Sequence, residues 1–562
     1  MQFLRAFALF LIATVVVGVP SSEAAASRAS AQPAKLLVSP SGSDANRCTQ
    51  SAPCLSLRRA YEVAHPGDVV QVADGSYSSE QILVYDPSKA TAKRRVVFIA
   101  APGAHPVFTS GIQLAGAQHV EFVGLTLDST RGNDFGGTAF NRQDPASPRM
   151  TDVVFRNGKL QTFNIASGKD ITIANSEIGN YCYCNRFSSN NIFSDAQGDS
   201  QGITLTGNLF HNITTGGATA HAECLFVKAV DGLTVTNNRF LNCPGTGLAF
   251  YDSATGHARN ILVENNFMSC QPGTCYGGGA TGDTIYLDSK GSQSFSNVTV
   301  RFNSSTGEFL FDVNASHAQN FRVYGNALGG GLSCPKGGSF KADYNVGVIC
   351  GGTNRVKLPT FVDSSPNGDY DAAPGSKQIG AVPLSFCAKN GCPTRDIDGN
   401  ARPRRWNVDA GADQRDPAGI VLGKTIGAAR LGMTEAAVVA AYGSPRRVRS
   451  LAAGSGGPRL RLASYRLHGG QLWVIYDSGR VVGLGTSSAY YSTSGGLGPG
   501  GPLSMAVSVG FRPTVCRAEY RHVIGAVIAT VTQAGRGAKK RVAAMWLRTG
   551  RAKLPVKCAA GR

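Results

Sequence analysis

One phrase recurs through the middle of this 562-residue chain. It reads Ile203, Leu205, Asn208, Phe210; then Leu233, Val235, Asn238, Phe240; then Ile261, Val263, Asn266, Met268. It returns as Val298, Val300, Asn303, Ser305 and as Phe321, Val323, Asn326, Leu328. A period of two sends alternate side chains to opposite faces, so each copy opens on a short strand. The asparagine reads as a bend, because its amide bonds to nearby backbone and it tolerates unusual φ/ψ. Looser copies start at Val120, Val153 and Ile171, and successive starts from Val120 to Phe321 lie 33, 18, 32, 30, 28, 37 and 23 residues apart. The period of 3.6 that helical repeats need is missing, and so is the Leu-rich consensus of leucine-rich repeats. Strand, turn and strand at roughly 20–30 residues per unit fits one coil of a parallel β-helix. Coils would stack at the strand spacing of about 4.8 Å, which sets like residues above one another and lets the asparagines form a ladder. A β-sandwich of repeated hairpins competes with this, but two-residue hairpin turns are scarce between the copies.

Residues 1–26 read as an export signal: Arg5 gives the positive start, Phe7–Val19 the apolar run, and Ala24, Ala25 and Ala26 a small-residue cleavage site. The run is short for a membrane span, and no second long apolar stretch follows, so a secreted, extracellular protein without a membrane span is expected, with association to the cell surface as a variant. The 14 cysteines agree with an oxidising compartment. Cys48/Cys54, Cys270/Cys275, Cys334/Cys350 and Cys387/Cys392 lie close in sequence, Cys224 and Cys243 about one coil apart, and Cys516 and Cys558 would close the last domain. Cys182 and Cys184 are too near each other for an unstrained bridge. Connectivity stays open at this level, and zinc ligation, the rival use of cysteines, lacks repeating spacings and His partners.

After a polar linker over 27–35 come Leu37–Asp44, Cys48, Cys54, Leu57–Ala60 and then Pro66, Gly67, Asp68 leading to Gly75 and Tyr77. This resembles the opening of secreted right-handed β-helix proteins of the pectate-lyase-like superfamily. Asp396, Asp398, Gly399, Asn400, Arg402 and Pro403, followed by Val408, Asp409 and Gly411, resemble the closing segment of the same proteins. The resemblance brackets residues 36–414. It implies a mainly β chain: a right-handed parallel β-helix of about ten coils with an N-terminal capping helix. Ser56–His65 is the helix candidate, with Leu57, Ala60, Tyr61 and Ala64 on one face. A cap is physically required, because an open coil end exposes strand edges and core side chains. The superfamily holds lyases, hydrolases, epimerases and non-catalytic binders, so activity does not follow from it.

Composition shifts after Pro417. Residues 416–562 hold 21 Lys/Arg against 4 Asp/Glu, which accounts for nearly all of the chain's net charge of +19. Residues 415–562 are expected to form a small basic α+β domain. Thr434 is placed to cap a helix over 435–442, ended by Gly443, and Ser464–Leu467, Leu472–Tyr476 and Val481–Thr486 read as antiparallel strands with tight turns. The run of Leu431, Gly432, Met433 and Thr434, then Val438, Tyr442, Gly443 and Pro445, resembles the helix-plus-sheet modules of outer-membrane assembly lipoproteins and β-lactamase-inhibitor-like proteins. Those families bind proteins. Gly498–Pro513 would be a degenerate second copy. The basic face suits an anionic envelope polymer or acidic polysaccharide, or else serves solubility alone; nucleic acid is not an expected partner of an exported protein.

Substrate chemistry on a β-helix belongs on one sheet, in a groove walled by loops. Aligning the strands after the asparagine turns sets Leu225, Leu248, Ile285 and Leu310 inward. Phe226, Tyr286 and Phe311 then form one outward row, with Lys228, Tyr251 and Asp288 beside it and Glu223, Asp283 and Glu308 stacked at the strand starts. Aromatic rings cover the apolar faces of sugars while charged groups bond hydroxyls, so Phe226, Tyr251, Tyr286, Phe311 and Glu308 are the candidate binders of an extracellular polysaccharide. Glu223, Asp283 and Asp288 would supply paired carboxylates for glycoside hydrolysis. Lys228 beside an acid-bound cation, with Ca2+ the natural choice, would instead abstract a proton next to a uronate carboxylate. His221 is an alternative proton carrier. The ordered polygalacturonase signatures and the Asp-Pro-His-Asp string of alginate epimerases are absent. Exposed charges and aromatics on a sheet also occur with no ligand, so a non-catalytic surface or adhesion protein, anchored through the basic module, is the competing reading.

Overall fold

In the computed structural model three parallel sheets run the length of the repeat region. The structure describes residues 36–549 except 80, 129–136, 141–147, 183–189, 194–197, 215–222, 252–256, 271–281, 289–293, 314–316, 335–338, 349, 366, 374–375, 403–406, 415–418, 428, 443, 452–459, 468–469, 489–490, 494–496, 515–518 and 535–539. The export signal, the 27–35 linker, Cys184, Cys275, Cys516 and Cys558 lie outside the described residues.

The first sheet collects the strands of the recurring phrase. Twelve strands follow one another in chain order, from Leu36–Val38 through Ser200–Thr206, Val230–Thr236, His257–Glu264, Ser294–Arg301 and Ala318–Tyr324 to Phe340–Asp343. The second sheet takes the strand after each asparagine turn, such as Leu209–Thr214, Arg239–Cys243 and Phe267–Cys270. The third includes Thr162–Ala166, Asn191–Phe193, Leu225–Val227, Leu248–Phe250, Asp283–Asp288 and Glu308–Asp312. Each coil visits the three in turn before rising by one strand, which is a right-handed parallel β-helix. Register follows the sequence phrase: Ile203 pairs with Leu233, Leu233 with Ile261, Ile261 with Val298 and Val298 with Phe321. All five are 2 % exposed or less. Stacked rings such as Phe210 on Phe240, with centroids 4.4 Å apart, continue the same file logic inside the coil.

The asparagines form the expected ladder, and it runs further than the five matched copies. Asn208, Asn238, Asn266, Asn303, Asn326, Asn345 and Asn354 stand in one file. The backbone N–H and side-chain amide of each of the first six donate to the Oδ1 of the next at 2.8–3.1 Å. The same side-chain amides also donate to a carbonyl of the coil on the other side, as Asn266 does to Val235 O at 2.9 Å. The bend itself is made by the residue before the ladder asparagine. Gly207, Asn237, Asn265, Phe302, Gly325 and Tyr344 all lie in the left-handed region, with φ between 53° and 67°. Glycine and asparagine tolerate that region, whereas Phe302 and Tyr344 are held there by their surroundings.

At the N-terminal end Leu57–Val63 is helical, with Ser56 as N-cap accepting from Arg59 N at 3.1 Å. Leu57, Ala60, Tyr61 and Ala64 are buried against the first coils, and Tyr61 donates to Gln118 O at 2.9 Å. Disulfides join Cys48 to Cys54, Cys224 to Cys243, Cys334 to Cys350 and Cys387 to Cys392. Cys270 is also disulfide-bonded. The helix of the basic region spans Glu435–Tyr442, with Thr434 Oγ1 accepting from Ala437 N at 3.3 Å. A shorter helix, Leu503–Ser508, opens the second half. Each helix precedes four strands of one antiparallel eight-stranded sheet, in the order Arg447–Leu451, Leu460–Leu467, Gly470–Asp477, Arg480–Thr486, Arg541–Thr549, Val527–Ala534, Glu519–Ile524, Arg512–Pro513. The two halves therefore mirror one another about the pairing of Arg480–Thr486 with Arg541–Thr549. No helix among the described residues is long and apolar enough to cross a membrane.

The ladder's weight can be measured. Asn266→Ala removes the acceptor for the backbone and side-chain amides of Asn238 and leaves buried groups unmatched, each worth about 1–3 kcal/mol. Urea unfolding is expected to show a loss of about 3 kcal/mol or more, against less than about 1 kcal/mol for Thr236→Ala, where a half-buried hydroxyl pair on the outer face is lost. Equal losses for the two variants would remove the ladder from the account of stability.

Candidate functional site

The outer faces of the three sheets differ in chemistry. On the first, charged pairs close on one another from coil to coil: Arg156 Nε to Glu121 at 2.6 Å, Arg301 Nε to Glu264 at 2.5 Å, Arg259 Nε to Asp231 at 3.0 Å. On the third, the register sets Asn164, Asn191, Phe226, Ala249, Tyr286 and Leu310 in one file. Asn191 donates to Asn164 Oδ1 at 2.6 Å. The adjacent outward positions bring Lys228, Tyr251, Asp288 and Asp312 alongside. Phe226 stacks on Tyr251 with centroids 5.0 Å apart, and Tyr251 meets Tyr286 at 5.2 Å. The ammonium of Lys228 lies 5.2 Å from the Phe226 ring centre, and Tyr286 donates to Asp288 Oδ2 at 3.1 Å. Burial and the Asp288 carboxylate push the Tyr286 phenol upward, so it stays a neutral donor. Three half-buried rings in contact, with an ammonium at one end and carboxylates at the other, make a continuous apolar strip with polar margins.

Two positions differ from the sequence alignment. Phe311 is 3 % exposed and packs in the core, while Leu310 takes the outward place beside Tyr286. The cause is a bulge: Asp283 pairs with Glu308, and Ile285 with Phe309, so Thr284 is an extra residue on its strand. Thr284 is held by Ser305 Oγ at 2.5 Å and by Glu308 O at 3.1 Å. Aligning Ile285 with Leu310 is therefore one residue out, and one residue reverses the facing of a strand.

The acids at the strand starts are also placed differently. Glu223 and Asp283 lie two residues before the inward Leu225 and Ile285, so they share core parity. Glu223 is fully buried and is not part of the open face, and Asp283 is only 4 % exposed. Glu308, beside the bulge, is half-buried. Burial and the neighbouring Glu308 push the Asp283 carboxyl up to about 6, and burial raises Glu308 too. Asp283 and Glu308 thus form a partly desolvated carboxyl pair at the edge of the aromatic strip. His221 lies outside the described residues. Among the described residues of this face, no three acidic or histidine ligand atoms converge on one point. Sequence reasoning did not single out Asn164, Asn191 or Asp312; the signal for the first two was the same two-residue period, carried into coils that lack the asparagine phrase, and for Asp312 its pairing with Asp288.

No protein-family model matches the chain, and no curated protein matches it in sequence. Among solved structures it is similar to pectate lyase Pel9A, at 13 % identity over 68 % of this chain and 98 % of that one, with a TM-score of 0.37. XylC in complex with xylose matches at 11 % identity over 67 % and 98 %, with a TM-score of 0.36. A rhamnogalacturonan lyase matches at 13 % identity over 66 % and 96 %, with a TM-score of 0.29.

The Asp283 shift has a stability consequence of definite sign. Its folded value near 6 stands above the ordinary 3.8, so between those values the native state binds more protons than the unfolded chain. Stability then falls as pH rises through that window, by up to about 3 kcal/mol, and is level above it. The slope between pH 4 and 6.5 in wild-type unfolding free energy should flatten in Asp283→Asn, measured by urea titration at each pH. An unchanged slope in the variant would show that Asp283 titrates normally.

Proposed function

We propose that this is an exported protein whose third-sheet face holds an extracellular polysaccharide, with Asp283 and Glu308 as the acid–base pair that cleaves it. The observation carrying this reading is the contact row Phe226–Tyr251–Tyr286, at 5.0 and 5.2 Å between ring centres. Consecutive rings at this spacing offer stacking surface along a chain rather than to one small molecule, and the flanking Lys228, Asp288 and Asn191 suit hydroxyl and carboxylate groups of sugars. A carboxyl held neutral up to about pH 6 can donate a proton to a leaving oxygen, while its less buried neighbour accepts one. In a hydrolase that pair would protonate the glycosidic oxygen and activate water or attack the sugar carbon. In a lyase Lys228 would take the proton beside a uronate carboxylate. The disulfides suit an oxidising compartment.

A second reading, a non-catalytic adhesion protein with the basic module on an anionic polymer or protein partner, is favoured by one observation. Glu223 is fully buried and Asp283 nearly so, which limits their access to a substrate.

Incubation with neutral and uronate-containing polysaccharides separates these readings. Ultraviolet absorbance from unsaturated uronates marks a lyase, reducing ends without it a hydrolase, and binding without products the adhesion reading. Tyr286→Ala is expected to weaken binding of the retained polysaccharide about tenfold, as loss of one stacked ring costs about 1–2 kcal/mol. Asp283→Asn with Glu308→Gln should abolish products and keep binding. Unaltered binding in a Phe226→Ala, Tyr286→Ala double variant would refute the proposed face.

A further inference from the structure

The closing segment carries six aspartates between 369 and 413, and three of them have evident structural work. Asp396 Oδ1 accepts from Asp398 N at 3.0 Å and Asn400 N at 2.8 Å, which closes the 396–400 turn. Asp409 Oδ1 accepts from Gly380 N at 2.6 Å. Asp369 Oδ1 accepts from Asp371 N at 3.1 Å. The remaining three, Asp371, Asp398 and Asp413, converge: one carboxylate oxygen from each lies within 4.8 Å of the other two.

Like charges do not gather without a counterion. Asp398 has one, since Arg239 Nη2 reaches its Oδ1 at 2.7 Å and stacks over Phe267. Arg402 is near, but its two terminal nitrogens are committed elsewhere: Nη2 donates to Asn265 Oδ1, Gly411 O and Ala412 O, each at 2.9 Å, and Nη1 to Asp409 O at 3.3 Å, while Nε bonds no carboxylate among the described residues. Asp413 is 1 % exposed, and neither of its carboxylate oxygens has a hydrogen-bond partner among the described residues. A buried carboxylate in that state is costly unless something else satisfies it. Asp371 is 7 % exposed, whereas Asp398 opens to solvent, with 41 % of its side chain accessible.

We propose that Asp371, Asp398 and Asp413 are ligands of a divalent cation, Ca2+ by preference, which ties the closing segment together. The donors are all hard oxygens, without His or Cys. Their ligand atoms all lie within 4.8 Å of one another, close enough to share one ion at Ca2+–oxygen distances. The exposed side at Asp398 leaves room for the waters that complete a Ca2+ shell. The three ligands come from separate stretches. Asp371 follows Tyr370, which packs with Phe361 and Ala412 on Phe267; Asp398 sits on the 396–400 turn; Asp413 ends the strip in which Ala412 N donates to Ser304 Oγ at 2.9 Å. A cation there would pin all three stretches to the second sheet, away from the aromatic face.

The opposing account is that Asp371 and Asp413 are simply neutral acids, with no ion. Thermal unfolding of the full chain after EDTA treatment, then with added Ca2+ or Mg2+, separates the two. Terbium luminescence sensitised by nearby Tyr370 reports occupancy directly. The melting temperature is expected to rise by several degrees with Ca2+ and less with Mg2+. Asp413→Asn, which mimics a neutral acid, should lose the Ca2+ response. If that variant does not fold, Asp398→Asn at the exposed ligand should fold and bind at least about tenfold more weakly. A wild-type melting temperature indifferent to EDTA and Ca2+ would overturn the site, as would a full Ca2+ response in Asp398→Asn or Asp413→Asn.

Discussion

The buried asparagine ladder is the constraint on which the helix depends. A side-chain amide has two donors and an acceptor oxygen with two lone pairs, and each interior ladder position employs them all on neighbouring coils. Such a group is stable in an apolar interior only in its one matched position. Sliding a coil by one residue would leave several amides unmatched and would also turn each apolar side chain of that coil outward. Hydrophobic stacking supplies most of the favourable burial, but it is non-directional; the amides make one register better than its neighbours. The left-handed residue before each asparagine completes the device, since it turns the chain sharply enough for the side chain to enter the core.

A fixed register on one side of the coil allows irregularity on another. The third sheet lies farthest along each coil from the asparagine turn, and there the bulge at Thr284 is tolerated. Its effect is local. It reverses the facing of Phe309, Leu310 and Phe311 against a simple count, and it brings Glu308 beside Asp283 where a regular strand would have set it against Thr284. Two carboxyls on paired positions of a partly buried strand edge are unfavourable as structure, which is the reason to look for chemistry there.

What could be read from the chain divides along the same line. Wherever Ile203, Leu233, Ile261, Val298 and Phe321 set a two-residue period ahead of an asparagine, coil, ladder and burial followed from residues a few positions apart. The ladder's continuation to Asn345 and Asn354 was hidden because the spacing between asparagines shortens, to 19 and 9 residues, and Phe340–Asp343 alternates weakly. Attributing the bend to the asparagine rather than to its predecessor was an error of one place; the predecessors range from Gly207 to Phe302 and share a conformation, not a residue type. Phe311 was misplaced because a bulge has no local signature. The core parity of Glu223 and Asp283 was legible, since both precede an inward residue by two, but acidic residues read as exposed by default. Rows such as Phe226, Tyr251 and Tyr286 needed only the coil alignment to be found.

The C-terminal end of the helix poses a different problem from its middle. A stacked coil satisfies the one below it, and the last has nothing above, so the closing segment must meet both strand edges and ladder with irregular backbone. Arg402 shows how this is done. It is buried over the Phe302 ring, 4.7 Å from its centre, and bonds both to the backbone of 411–412 and to Asn265, the left-handed residue that precedes a ladder asparagine. One cation thus joins the cap to the turn column and fixes the height at which the cap sits. Placing a guanidinium there draws in carboxylates to balance it, which accounts for an acidic surround at Asp396, Asp409 and Asp413. But Arg402 spends its hydrogen bonds on carbonyls, so its field reaches Asp413 while its donors do not. The cap therefore holds more negative charge in contact than positive charge in contact, and this imbalance is located where three otherwise unconnected stretches of chain meet.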